Sequence, residues 1–134
     1  MTTLLKSNFG KIINTEIQEN KVIFEVLLNS NHTIYQGHFP SRPITPGVCT
    51  MQLVRELLQN YLIEKLKLIK SKNVKFSGMI DPNIIPKITI EILLLPNNSN
   101  KEVNIKASIF SQAITFCKFD GEYAKQYEKE IHFD

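Results

Sequence analysis

His38 precedes Gly47 in the run Gly37-His38-Phe39-Pro40-Ser41-Arg42-Pro43-Ile44-Thr45-Pro46-Gly47-Val48. An imidazole with an unperturbed pKa of about 6.5 can take and return a proton at neutral pH. Pro46-Gly47 opens a stretch of helical periodicity, and a helix start offers N–H groups without intrahelical partners together with the positive end of the helix dipole. Pro46 has no N–H of its own, so the first donors belong to Gly47 and Val48, and Gly47 has no side chain to obstruct an approaching oxygen. Gln52 and Glu56 follow on the same helix, one turn apart on a shared face. A proton-exchanging ring beside donors suited to a negatively charged oxygen is equipment for chemistry at a carbonyl group.

The elements that must position these residues are legible on either side. Residues 10–15 and 21–28 are rich in Ile, Val and Phe and are parted by Glu19-Asn20, which predicts two strands joined by a tight turn. Prolines 40, 43 and 46 each fix φ and remove a donor, so the segment carrying His38 is expected to be an ordered, non-helical loop. Met51, Val54, Leu57, Leu58, Tyr61 and Leu62 form an apolar stripe that predicts a helix from residue 47 to about residue 66. A Lys-rich loop is expected next, then strands over 73–80, 88–95, 102–110 and 113–119. Two strands, a helix and four strands predict an α+β domain with the helix lying on an antiparallel sheet.

Length and charge narrow the function classes. A chain of 134 residues suits a single domain, with a core over about 10–119 and a charged, weakly patterned tail over 120–134. The net charge of +3 is spread among interspersed acids and bases, which argues against nucleic acid as a partner. No apolar run approaches the roughly 18 residues a membrane span needs, and the first residues lack a signal-peptide core, so a cytoplasmic protein without membrane contact is expected. Cys49 and Cys117 lack metal-ligand spacing, and no phosphate-binding glycine loop, nucleotide fingerprint or serine elbow is present, so neither a metal nor a cofactor is implied. His32 and His132 have no supporting context and read as surface residues.

Residues 37–48 closely resemble the signature of the 3-hydroxyacyl-acyl-carrier-protein dehydratases of the hot-dog fold, in which His-Phe-Pro, Pro-Ile and Pro-Gly-Val recur at these spacings. The resemblance extends over most of residues 10–119 and implies a hot-dog fold, an antiparallel sheet wrapped around a central helix. It also implies dehydration of a 3-hydroxyacyl thioester, bound to acyl carrier protein or coenzyme A, to a trans-2-enoyl thioester in fatty-acid or polyene-type chain building. In the family, the histidine matching His38 is the main acid-base group and the N–H matching Gly47 binds the thioester carbonyl. The family's catalytic glutamate falls at Gln52, an amide that cannot titrate. Glu56 stands where the family commonly has glutamine, so the two residue types are exchanged, and Glu56 with Gln52 is the candidate replacement for the missing acid. The bland alternative is a solvated helix face in which Glu56 pairs with a lysine. Tyr35, Phe39, Pro46, Val48, Cys49 and Phe76 are the expected walls of an acyl tunnel, although core packing accounts for such residues equally well. A homodimer or higher homo-oligomer is implied, because one hot-dog subunit exposes a sheet edge and half a site. Two alternatives stand beside dehydration: a hot-dog acyl thioesterase, and a catalytically weak acyl-binding subunit.

Overall fold

The computed structural model of the chain describes residues 3–36 and 43–127. Its elements are β1 (Gly10–Ile17), β2 (Lys21–Leu28), a 3-10 turn (Thr33–Tyr35), α1 (Gly47–Leu62), β3 (Lys65–Phe76), β4 (Lys87–Leu95), β5 (Glu102–Ser111) and β6 (Ile114–Gln126). Among the described residues the strands form one six-stranded sheet in the order β1-β2-β4-β5-β6-β3, with every neighbouring pair antiparallel. This is the hot-dog arrangement, and it matches the expected succession of two strands, a helix and four strands.

Alternation in the central strands explains the sheet. Val22, Phe24 and Val26 of β2 lie opposite Ile92, Ile90 and Ile88 of β4, and Ile90 and Ile92 lie opposite Ile109 and Ala107 of β5. All eight are buried, while the residues between them are not. A period of two therefore puts one apolar face towards α1. That helix supplies Leu53, Val54, Leu57 and Leu58, each with no exposed surface. Burying side chains of this size stabilises the fold by roughly 1.5–3 kcal/mol each. Among the described residues, no helix is long and apolar enough to cross a membrane.

Four expectations about element boundaries are corrected. The helix stops at Leu62 and not near residue 66, because Ile63 turns into the left-handed region with φ 55° and ψ 50°. The segment expected as a Lys-rich loop is β3, which pairs with β6 from Lys65↔Gln126 to Phe76↔Cys117. Of the strand expected at 73–80 only residues 73–76 belong to β3, and Ile80 forms an isolated bridge to Thr45. Strand β6, expected to end at 119, continues to Gln126 and carries buried Gly121 and Tyr123 into the core. Strand β3 hid from the sequence reading because it is an edge strand exposed over almost its whole length, so it carries no apolar alternation, and lysines suit an unpaired edge. The N-terminal segment also contributes: Phe9 has no exposed surface and stacks on Tyr35 with ring centroids 6.2 Å apart.

Candidate active site

The start of α1 is built from its flanks. Pro46 occupies the N-cap with φ −62° and ψ 138° and makes no side-chain capping bond. The Cys49 N–H turns back to Pro46 O at 2.9 Å, while the N–H groups of Gly47 and Val48 have no partner within the helix. The preceding residue is anchored twice: Thr45 N–H donates to Ile80 O at 2.8 Å, and Thr45 Oγ1 shares a 2.9 Å hydrogen bond with Tyr35 Oη. Burial pushes the Tyr35 hydroxyl pKa up, against the opposing effect of the Thr45 bond. The Phe76 ring lies across Gly47, where an added Cβ would sit 2.5 Å from Phe76 Cε1. Glycine is therefore needed at this position unless the ring moves.

Two cavities adjoin along one side of α1. The first, of about 420 Å³, is lined among others by Thr45, Pro46, Gly47, Val48, Phe76 and Cys117. The second, of about 310 Å³, is lined by Val48, Met51, Gln52, Arg55, Leu68 and Tyr123. Val48 borders both and is 71% exposed. The walls of both are mainly apolar, which suits an acyl chain.

Gln52 lies in a hydrogen-bonded chain. Arg55 Nη2 donates to Gln52 Oε1 at 2.9 Å, and Gln52 Nε2 donates to Glu56 Oε2 at 2.8 Å. Glu56 is 3% exposed, and its oxygens also accept the backbone N–H groups of Leu4 at 3.0 Å and Leu5 at 2.9 Å. Its carboxylate thus ties the N-terminal segment to α1. Arg55 Nη1 also donates to Leu66 O at 3.3 Å. Burial pushes the Tyr123 hydroxyl pKa up to about 12, with the nearby Arg55 charge opposing the shift.

Of the residues expected at the site, Pro46, Gly47, Val48 and Phe76 meet at the first cavity, and Gln52 lines the second beyond Val48. Glu56 contacts Gln52, but the solvated face with a lysine partner is not what forms: its carboxylate is buried, accepts the N–H groups of residues 4 and 5, and makes no ion pair with a lysine among the described residues. Tyr35 lies behind Thr45 and borders a different cavity with His32 and Pro43. Cys49 is buried, and burial pushes its thiol pKa up. His38 and Phe39 lie outside the described residues. His32, expected as a bystander on the surface, is half-buried: its Nδ1 accepts the Ile34 N–H at 3.0 Å, and its Nε2 is 2.9 Å from Ser7 Oγ.

Arg55 and Tyr123 were not anticipated. Arg55 stands one turn beyond Gln52, a cation among the apolar residues of α1, which is a detectable signal. Tyr123 falls in what read as tail, and no local pattern marks it.

Comparison with known proteins agrees with this architecture. A family model described as ApeI-like, ApeI dehydratase, matches residues 14–116. A 3-hydroxyacyl-acyl-carrier-protein dehydratase FabZ from Clostridium acetobutylicum is 37% identical over 70 residues, which make up 47% of this chain and 50% of that protein. The match thus spans half the length of that relative. A sigma28-regulated virulence protein from Campylobacter jejuni superposes with a TM-score of 0.68 and 15% identity over 93% of this chain and 89% of its own. The dehydratase heterocomplex ApeI:P from Xenorhabdus doucetiae gives a TM-score of 0.66 and 17% identity over 86% of this chain and 97% of its own. At these identities the two structures speak to the fold alone.

Proposed function

Because the chain belongs to the ApeI-like dehydratase family, we propose that it removes water from a 3-hydroxyacyl thioester to give the trans-2-enoyl thioester. The observation that carries this reading is the start of α1, where the N–H groups of Gly47 and Val48 have no helical partner and the adjoining cavity is mainly apolar.

In this reading the thioester oxygen accepts a hydrogen bond from the Gly47 N–H, which stabilises the charge that develops there as C2 loses its proton. One such donor is worth about 3–4 kcal/mol in the transition state. His38 takes the C2 proton. The C2–H electron pair becomes the C2–C3 double bond as the C3–O bond breaks, and His38 returns the proton to the departing hydroxyl, which leaves as water. Positioned acid-base groups contribute roughly 10²–10⁴-fold. Gln52 cannot titrate and moves no proton in this reading, and Glu56 holds its amide in place. Pro46, Val48 and Phe76 form the walls of the acyl path, and Tyr35 acts behind them by fixing Thr45.

The carrier is acyl carrier protein or coenzyme A, and the working unit is a homodimer assembled on the exposed edge of β3. Support for that edge comes from Ile69, Val74 and Phe76, which are 60%, 39% and 52% exposed.

The test is mass spectrometry of a 3-hydroxyacyl carrier protein incubated with the chain and with His38→Ala. Reversible loss of one water, abolished in the variant, is the expected result. Release of the bare carrier would replace dehydration by thioester hydrolysis. An unchanged acyl group across several chain lengths would reduce the protein to an acyl-binding subunit.

A further inference from the structure

The second cavity presents hydrogen-bond donors where the family places a carboxylate. Arg55 can only donate, so the Gln52 atom facing it at 2.9 Å is the oxygen, and the amide nitrogen faces Glu56. With Oε1 occupied by Arg55, what Gln52 has left to offer is its second N–H. Among the described residues no carboxylate forms an ion pair with Arg55, whose two bonds go to Gln52 and to a backbone oxygen. Tyr123 has no hydrogen-bond partner for its hydroxyl among the described residues, and that oxygen is not one of the buried polar atoms left unsatisfied. Arg55, Gln52 and Tyr123 thus line one mainly apolar cavity, and no carboxylate side chain is among its lining residues.

A partly buried guanidinium that meets only neutral acceptors among the described residues is stabilised further when an anion reaches it. We propose that this cavity is an oxyanion subsite that receives a carboxylate carried on the end of an apolar chain, with Arg55 as the charge partner and Gln52 and Tyr123 as additional donors. The chain itself lies along Val48, Met51 and Leu68, the apolar lining of the cavity. Arg55 stands about 12 Å along the helix axis from Gly47, and Val48 joins the two cavities. If the reading above holds, and the thioester sits at Gly47, the carboxylate is the far end of a medium-length acyl group, and Arg55 determines specificity for it. The same chemistry is offered by a free fatty acid, whose single carboxylate would dock at Arg55 without any thioester.

The experiment has two arms on the full chain. Calorimetry compares octanoate with its uncharged methyl ester, in the unaltered chain, Arg55→Met, Arg55→Lys and Tyr123→Phe. The expected result is octanoate binding at least about tenfold tighter than the ester, as charge-assisted hydrogen bonds imply, with the preference lost in Arg55→Met, largely kept in Arg55→Lys, and reduced in Tyr123→Phe. Equal binding of acid and ester, or a preference that survives Arg55→Met, overturns the subsite. Tyr123→Phe removes only a hydroxyl, so it keeps the comparison informative if Arg55→Met fails to fold. In the second arm, mass spectrometry compares turnover of 3-hydroxyacyl thioesters with and without a terminal carboxylate. Preference for the carboxylate assigns the subsite to the substrate's far end, and calorimetric binding without that preference assigns it to the free acid. If neither thioester is dehydrated, the dehydratase reading fails while the calorimetric result still stands by itself.

Discussion

The Gln52 amide has one orientation compatible with its neighbours, because Arg55 supplies only donors and both Glu56 oxygens act as acceptors. Glu56 in turn accepts three hydrogen bonds, with one carboxylate oxygen bound to Leu5 N–H and the other shared by Leu4 N–H and Gln52. An amide in its place can accept with one oxygen only, so Glu56→Gln leaves at least one of these donors facing a nitrogen. Unsatisfied groups of this kind cost about 1–3 kcal/mol. Glu56→Gln is therefore expected to lower unfolding stability by that amount in a denaturant titration. It should also raise hydrogen exchange at the Leu4 and Leu5 amides; unchanged exchange there would show that the carboxylate does not anchor the segment.

At the level of elements, the end of α1 carries an avoidable cost. Ile63 has φ 55° and is 89% exposed, so a β-branched residue occupies the left-handed conformation with no burial in return. That conformation costs an L-residue roughly 1–2 kcal/mol, and glycine is the usual occupant after a helix. Ile63→Gly is expected to raise stability by about 1 kcal/mol, read as a higher melting temperature, since the Glu64 N–H bond to Gln59 O remains available. The same turn sends the chain straight into β3, where Leu66, with no exposed surface, is the inward residue. A sharp reversal at Ile63 is thus what converts the expected Lys-rich loop into a strand.

Across the whole molecule the sheet ends at β1 on one side and β3 on the other. Strand β3 has twelve residues, exposed apolar side chains and an unpaired outer edge, which is a template for pairing with another chain. The proposed homodimer predicts twice the chain mass in light scattering. The double substitution Ile69→Lys, Val74→Lys, placed at positions that are 60% and 39% exposed, is expected to shift the population towards monomer with little loss of secondary structure by circular dichroism. Retention of the full dimer mass in that variant would put the interface elsewhere.

The central strands, the helix and the Pro46-Gly47 start were readable from sequence because each depends on local rules: period-two alternation, period-3.6 apolar spacing, and the backbone limits of proline and glycine. The chemistry suggested by Gly47 is local in the same way, since a helix start exposes its N–H groups wherever it forms. Strand β3, the inward Tyr123 and the N-terminal contribution of Phe9 were hidden, because an edge strand is exposed on both faces and because partners far along the chain decide the burial of the other two. The helix face shared by Gln52 and Glu56 followed from sequence spacing alone. Only the tertiary structure decided that Glu56 is satisfied by backbone groups about fifty positions earlier, and that Leu68 and Tyr123 wall the cavity beside Gln52 and Arg55. Long-range partners and cavity walls of this kind are set by packing between distant segments, and no periodicity within one segment encodes them.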